Sequence, residues 1–195
     1  MLSIRKGGHK DFEHYYPLME IDFDSEELIS KLAVHKGMLN GSIDFLVVTD
    51  DESGMDAAYA LMLTGGMYGY ADMKYMAVMP WFRGKGVGID TMRLIHKYYA
   101  DSQGIIAELS EFEDPDPDRL KKLRRFFARF GYQEIESDYT IRGVKVNLLV
   151  KPIRGTAEIA HVAHRIVPEL YSRFLGNFSL GDYMEFNPLG VRSEE

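Results

Sequence analysis

Short apolar stretches, several of them alternating with polar residues, predict the strands of this chain. One opens the sequence, and three follow one another between residues 42 and 79, separated by polar or glycine-containing turns. That order is typical of antiparallel strands joined as a meander. One further strand and a final strand pair come later. The predicted strands are 2–7, 42–50, 57–66, 71–79, 104–113, 132–141 and 144–153.

Helical spacing of apolar residues fills most of the intervals between these strands. Ser, Thr, Asp and Asn mark helix starts, because their side chains accept hydrogen bonds from the free N–H groups of a first turn. Glycine just after the last turn marks an end. One or two helices are predicted in 11–37 with N-caps Asp11 and Asp24 or Ser25, one in 87–101, and one from N-cap Asp116 to Phe130 with Gly131 after it.

The chain changes character after residue 154. Thr156 is expected to cap a helix with one apolar face, and Pro168 is expected to kink or break that helix. We therefore predict a main domain at 1–154 and an extension at 155–195 that packs on the domain or on a partner.

The composition narrows the class of protein. Of 195 residues, 46% are hydrophobic, which suits the core of one ordinary domain. The chain has no cysteine, which excludes a disulfide framework and a thiolate nucleophile. We see no secretory signal and no apolar run of membrane-spanning length, so we expect a cytoplasmic location and no membrane partner. The formal net charge of −7 argues against a nucleic-acid partner.

The segment 76–92, MAVMPWFRGKGVGIDTM, carries the strongest chemical signal. A strand-like run stops at a proline, and three glycines then lead into a helical pattern, with Arg83 and Lys85 beside them. The first turn of a helix exposes unpaired N–H groups and the positive end of the helix dipole, and glycines let a phosphate approach them. The segment indicates an anion site suited to a diphosphate; a tight turn that binds nothing is the alternative.

Two familiar phosphate motifs do not fit this loop. A Walker A loop needs Ser or Thr after Gly-Lys, but Gly86 follows Lys85. The dinucleotide fingerprint needs a small residue where Ile89 or Thr91 stands, and the preceding strand belongs to an apparent meander instead of a βαβ unit. We therefore expect neither ATP hydrolysis nor NAD binding.

Other reactive patterns are weak. His161 and His164 could form half a metal site, but no glutamate completes an H-E-x-x-H motif, so we predict no metal. No G-x-S-x-G elbow supports a serine hydrolase.

The pattern Arg83-x-x-Gly86-x-Gly88, preceded by an apolar strand, resembles the acetyl-CoA-binding signature of the GNAT superfamily of N-acetyltransferases. RRFFARFGYQEI at 124–135 is similar to the second motif of that family, and the order of elements from residue 2 to about 153 looks like its fold. The resemblance implies an α/β (α+β) fold, GNAT-like, with a mixed, mostly antiparallel central sheet flanked by helices. The C-terminal helical extension, 155–195, lies outside the match.

The resemblance also implies how acetyl-CoA, as cosubstrate, would be held. Backbone N–H groups of 83–88 would bind the pyrophosphate, and strand backbone at 76–78 would face the pantetheine and the acetyl group. The strands carrying 72–79 and 105–111 would be parallel neighbours that splay apart to admit the thioester. The implied cofactor-binding residues are Met76, Ala77, Val78, Arg83, Gly84, Lys85, Gly86, Val87 and Gly88.

Acetyl transfer to an amine requires an uncharged nucleophile, and keeping a lysine-like amine neutral at pH 7 costs about 4–5 kcal/mol. A carboxylate can accept that proton. The stretch AELSEFE offers Glu108, Glu111 and Glu113. Because Glu108 and Glu111 have opposite parity on a regular strand, only one is expected to face the cleft, and we prefer Glu111.

In this family a tyrosine of the second motif often protonates the leaving thiolate, but Phe127 occupies that position here. Either the thiolate leaves unaided, since its intrinsic pKa is near 8.5, or Tyr139 or Tyr75 reaches the site. Tyr132 is expected to pack in the core.

The leading prediction is an acetyl-CoA-dependent N-acetyltransferase that acetylates a primary amine of a small cationic molecule or a peptide by direct attack in a ternary complex. The acidic stretch 111–118 at the cleft end of its strand favours a cationic acceptor. One alternative is a CoA or acyl-CoA sensor without turnover, motivated by Phe127. Another is an interaction protein that acts through 155–195, whose aromatic content would also allow a homodimer interface.

Overall fold

A computed structural model gives the structure of the protein. It describes residues 1–23, 25, 28–110, 118–154, 159–175 and 184–186, and for 136–139, 159–164 and 184–186 it describes the backbone.

The described residues form one mixed sheet in the order β1-β2-β3-β4-β5-β7-β6-β8. Every neighbouring pair is antiparallel except β4 and β5, which are parallel. The predicted meander, β2 to β4, and the mostly antiparallel mixed sheet are confirmed. The strands are β1 Leu2–Lys6, β2 Ile43–Asp50, β3 Met55–Leu63, β4 Tyr70–Val78, β5 Gly104–Ser110, β6 Gln133–Ile141, β7 Val144–Pro152 and β8 Met184–Phe186.

Helices cover both faces of the sheet. Buried side chains of α1, α2 and α5 pack with one face, and those of α3 and α4 pack with the other. Alternation along β5 reflects this division, because Ile106 faces the first group while Ile105 and Ala107 face the second. The helices are α1 His9–Asp22, α2 Lys31–Asn40, α3 Val87–Tyr98, α4 Arg119–Ala128 and α5 Ile159–Leu175.

The first two helices do not begin at their predicted caps. The N-cap of α1 is Gly8, and Asp11 lies inside the first turn, where its carboxylate accepts a hydrogen bond from the Gly8 N–H at 2.8 Å. The N-cap of α2 is Ser30, whose hydroxyl accepts from the N–H three residues later at 3.4 Å. The predictions of Asp11 and Ser25 as caps are wrong, and Asp24 lies outside the described residues. A carboxylate at the third helical position can accept a hydrogen bond from a free N–H group, just as a carboxylate at the N-cap can.

Helices α4 and α5 also differ from prediction. The predicted caps Asp116 and Thr156 lie outside the described residues, and α4 starts after Asp118. α4 ends at Ala128 with Arg129 as its C-cap, so the predicted end at Phe130 is wrong. Gly131 has φ +79° in the turn that follows. Pro168 lies inside α5, which continues through it, so the expected break is absent, and the expected kink stays a prediction. The missing backbone hydrogen bond is offset by buried side chains on both sides of the proline: Ile166, Val167, Leu170, Tyr171 and Phe174.

The parallel strands β4 and β5 separate partway along their length. Their ladder runs from Tyr70 opposite Gly104 to Met73 opposite Ala107, and within the described residues it goes no further. On its other side β4 carries a bulge, because Leu61 and Met62 of β3 oppose Tyr75 and Met73 and leave the intervening residue, Lys74, unmatched. A bulge bends the strand that contains it. The strands therefore diverge from Lys74 onward and leave a gap in the middle of the sheet.

Candidate active site

A cleft of about 140 Å³ occupies the gap between β4 and β5. Side chains of α4 border it on one side, and Phe23, just after α1, borders it on the other. Half-buried residues Met76, Ala77 and Val78 continue β4 along the gap. The lining residues are Phe23, Met73, Lys74, Tyr75, Met76, Ala107, Glu108, Leu109, Ser110, Arg119, Leu120, Leu123, Phe126 and Phe127.

The glycine loop follows the free end of β4 and leads into α3. Gly84 and Gly86 have φ of +76° and +81°, a region that side chains disfavour, and Gly86 is the N-cap of α3. A Cβ at either position would meet no atom within 4 Å, so the space in front of the loop is open. Among the hydrogen bonds of the described residues, none is donated by the backbone N–H groups of 84–88. These N–H groups and the helix dipole form a site that can hold an anion.

Gly88 differs from the two glycines before it. Its φ is not positive, and a Cβ there would lie at an ordinary 3.5 Å from the Val78 side chain. Neither backbone conformation nor packing therefore demands glycine at this position. The absent side chain leaves the first turn of α3 bare.

The two basic side chains of the loop have different environments. The Arg83 guanidinium donates to the Val78 carbonyl oxygen at 2.9 Å and to Asp22 at 2.6 Å, and its backbone N–H donates to the Pro80 carbonyl oxygen at 3.3 Å. Arg83 therefore fastens the loop to β4 and to the end of α1. The Lys85 ammonium is 5.8 Å from the Phe82 ring centroid, and the residue is exposed.

The Asp22 carboxylate, which accepts from Arg83, has a second hydrogen-bond donor. The Tyr59 hydroxyl donates to its other carboxylate oxygen at 3.0 Å. Burial, and then the negative charge of Asp22, raises the pKa of Tyr59 far above its ordinary value, so the phenol stays a donor. The end of α1 is therefore fixed beside the loop.

A buried polar cluster lies where β4 and β5 separate. The Lys74 ammonium contacts one carboxylate oxygen of Glu108 at 2.5 Å, and the Tyr171 hydroxyl donates to the other at 2.6 Å. The side chains of Lys74 and Glu108 are 4% and 2% exposed. Since Lys74 and Glu108 come directly after the last ladder pair, their contact bridges the mouth of the gap.

Asp72 completes this cluster. It is fully buried beside Glu108, and neither carboxylate oxygen accepts a hydrogen bond from a donor in the described part of the chain. Burial, and then the negative charge of Glu108, raises the pKa of Asp72 well above its ordinary value, against the opposing effect of Lys74. The cluster therefore contains a carboxyl group that favours its neutral form.

Of the predicted catalytic residues, Glu108 lies in the cleft. Glu111 and Glu113 lie outside the described residues. Tyr139 pairs with Val146 across β6 and β7, and its side chain is not described. Glu111, Glu108 and Tyr139 all stay predictions as catalytic groups.

The aromatic candidates divide between cleft and core. Phe127 lines the cleft and has no hydroxyl to donate, as its sequence position suggested. Tyr75 also lines the cleft, and its hydroxyl accepts a hydrogen bond from the Ile29 N–H at 2.9 Å. Tyr132 is buried in the core, as predicted.

Sequence reasoning missed the partners of Glu108. Asp72 and Lys74 had a detectable signal, because they are charged residues inside an otherwise apolar strand. Tyr171 had none, since its position depends on how α5 packs. No group of three or more metal-ligating side chains occurs among the described residues; the side chains of His161 and His164 fall outside them. None of the described helices is both long and apolar enough to cross a membrane.

No protein-family model matches the chain, and no curated protein sequence matches it. Several solved structures, in contrast, match the fold of the chain. An acetyltransferase assigned to the GNAT family from Bacteroides thetaiotaomicron superposes with a TM-score of 0.68 at 17% identity, covering 87% of this chain and 96% of that one. Mutant forms of the spermidine/spermine N-acetyltransferase from Vibrio cholerae give 0.59 at 12%, covering 78% and 95%. The ribosomal-protein-S18-alanine N-acetyltransferase from Escherichia coli gives 0.58 at 14%, covering 82% and 98%. The chain therefore has the GNAT fold, as its two motifs predicted.

Proposed function

We propose that the protein is an acetyl-CoA-dependent N-acetyltransferase that transfers an acetyl group to a primary amine by direct attack in a ternary complex. The observation that carries this proposal is the gap between β4 and β5, with an anion-binding loop at the end of one strand and a buried carboxylate, Glu108, beside it. The fold shared with named N-acetyltransferases supports it.

The glycine loop would hold the pyrophosphate of acetyl-CoA. The unpaired N–H groups of 84–88 and the open space in front of Gly84 and Gly86 support this role. The edge of β4 at 76–78 faces the gap without a strand opposite it in the described residues, so backbone groups that point into the gap can pair with the amides of the pantetheine arm. The Val78 carbonyl oxygen already accepts from Arg83. Arg83 would act by holding the loop in place.

Glu108 would accept the proton of the acceptor amine, directly or through water. With Phe127 at the usual tyrosine position, the thiolate would leave without that donor, which its intrinsic pKa near 8.5 permits. Tyr75 and Tyr139 stay alternative donors, and Glu111 stays an alternative base.

The acceptor would be a small cationic molecule or a peptide that carries a primary amine. The cleft mouth already accommodates an ammonium group, that of Lys74, against Glu108 and two tyrosine rings. Similar folds occur in proteins named as acetylating spermidine and a ribosomal protein. The homodimer, like the acidic attraction from 111–118, stays a prediction.

A second candidate is a CoA or acyl-CoA sensor with little turnover. The Lys74–Glu108 ion pair favours it, because it engages the carboxylate that an acceptor amine would need. Phe127 adds to it by removing the usual proton donor.

Two measurements separate these candidates. Acetyl-CoA is titrated calorimetrically, and release of free CoA is then followed with a panel of polyamines, lysine peptides and aminoglycosides. Micromolar binding, about −8 kcal/mol, with amine-dependent CoA release supports the transferase. Binding without release from any amine favours the sensor, and no binding contradicts both.

A further inference from the structure

Lys74 is an unusual lysine within the described residues. Its side chain is 4% exposed, whereas those of Lys6, Lys31 and Lys121 are 45–69% exposed. It stands at the bulge of β4, the first residue beyond the paired part of β4 and β5. A ligand that enters the gap at this level therefore lies next to Lys74.

The surroundings of the Lys74 Nζ suit an amine that must lose a proton. A carboxylate oxygen of Glu108 lies 2.5 Å away, and the rings of Tyr75 and Tyr171 have centroids 5.8 and 5.5 Å from Nζ. The side chains of Lys74 and Glu108 are almost fully buried, so little water screens the contact between them. Transfer of one proton from Lys74 to Glu108 leaves an uncharged amine and an uncharged acid, so the step creates no isolated charge.

We infer that Lys74 is itself an acetyl acceptor, modified by this protein from acetyl-CoA bound in its own cleft. The inference rests on the proposed function, because it requires acetyl-CoA to reach the gap. It adds a modification site to that function and names its donor class, an acyl-CoA thioester.

The reaction balances with the groups present. Glu108 takes a proton from the Lys74 ammonium, and the Nζ lone pair attacks the thioester carbonyl carbon. A C–N bond forms and the C–S bond breaks, so CoA leaves as a thiolate. The second proton on nitrogen passes to the thiolate, giving CoA and an Nε-acetylated Lys74 beside a protonated Glu108.

Acetylation would change the state of the cleft. The uncharged amide of Lys74 no longer forms an ion pair with Glu108. After Glu108 releases its proton, its carboxylate is available to the ammonium of an external acceptor. A single self-acetylation would convert a closed cluster into an open acceptor site.

The test uses the full-length protein and isotopically labelled acetyl-CoA. Peptide mass spectrometry before and after incubation reports acetyl groups at each lysine. We expect Lys74 to carry one acetyl group, either on isolation or as label, and exposed lysines to carry little. Gly86→Asp, prepared in the same way, should lack it. Glu108→Gln should slow it by about 100-fold or more, the usual effect of losing a base.

Acetyl phosphate is the matched donor control, because it acetylates exposed amines chemically but lacks the CoA group through which the protein would bind the donor. It should label exposed lysines and leave Lys74 unmodified. Equal labelling of Lys74 by both donors, or in Gly86→Asp, would overturn the inference by showing simple chemical acetylation. If acetyl-CoA binds calorimetrically and amines release CoA while Lys74 stays unmodified, the inference fails and the proposed function stands; if acetyl-CoA does not bind, both fail.

Discussion

Replacing Gly86 by aspartate is expected to weaken acetyl-CoA binding strongly while leaving the protein folded. Gly86 has φ +81°, and a side chain in this region costs roughly 1–2 kcal/mol of folding free energy. No atom lies within 4 Å of the added Cβ, so no steric clash adds to this cost. A domain of ordinary stability, about 5–15 kcal/mol, tolerates the change.

The loss of binding comes from charge. The new carboxylate would stand at the N-cap of α3, within the loop that is proposed to bind the pyrophosphate. Two negative charges about 5 Å apart repel by about 1–3 kcal/mol for effective dielectric constants of roughly 80 to 20. Each pair of charges therefore lowers the affinity by roughly 5- to 200-fold, and a pyrophosphate presents more than one.

The control is Gly54→Asp. Gly54 has φ +68°, and a Cβ there also meets no atom within 4 Å, so the backbone strain and the added charge are matched. It lies in the turn between β2 and β3 instead of the loop before α3. Calorimetry should show lost binding in Gly86→Asp alone, and urea denaturation should show that both variants still fold cooperatively. Unchanged binding in Gly86→Asp, or equal loss in both, would refute the assignment of the phosphate site.

Three further predictions concern buried polar groups. Glu108→Gln should lower the free energy of unfolding, measured by urea denaturation, by about 3–5 kcal/mol, because it removes the charged partner of the buried Lys74 ammonium. The double variant with Lys74→Met should recover part of this loss. Additive losses in the double variant would contradict the pairing. Tyr171→Phe should lower the free energy of unfolding by about 1–3 kcal/mol, because a buried carboxylate oxygen of Glu108 loses its hydrogen-bond donor. Tyr98→Phe, at an exposed position, should change it little. Equal effects of the two substitutions would contradict this role of Tyr171. Burial, and then the charge of Lys151, lowers the pKa of His96 from 6.5 to about 4. As pH falls from 6.5 to 4, the imidazole of His96 is therefore protonated in the unfolded chain before it is protonated in the folded protein. The free energy of unfolding should decrease over that pH range. His96→Gln should flatten that part of the pH–stability curve, and an unchanged curve would refute the assignment.

Most of the sheet and the loop could be predicted, because their signals are local. Apolar runs bounded by turns gave the strands, and φ values above +70° at Gly84 and Gly86 match the need for glycine that their positions suggested. The helix starts were less predictable. The Asp11 carboxylate could accept a hydrogen bond from a free N–H group either as the N-cap or from inside the first turn, and the sequence pattern is the same in both cases.

The chemistry of the cleft could be predicted only in part. Glu108 was one of three carboxylates that its strand offered, and Glu111 was preferred to it. The partners of Glu108 come from β4 and from α5, and Tyr171 of α5 is more than 60 residues away from it in sequence. The break expected at Pro168 failed for a related reason, since the tertiary packing of α5 outweighs the local preference of proline. Side-chain pairing across elements depends on packing that no local pattern records.

The Arg83 side chain joins two parts of the proposed active site. It fixes the beginning of the glycine loop to the end of β4 and to Asp22, the last residue of α1, directly before Phe23 at the cleft. A shift of the loop on phosphate binding would therefore be transmitted, through Asp22, to Phe23 at the proposed acceptor cleft. Such coupling is reciprocal at equilibrium, so an acceptor that reorders the end of α1 changes the affinity for the phosphate by the same factor. The affinities of the two proposed substrates would thus be coupled through one guanidinium group.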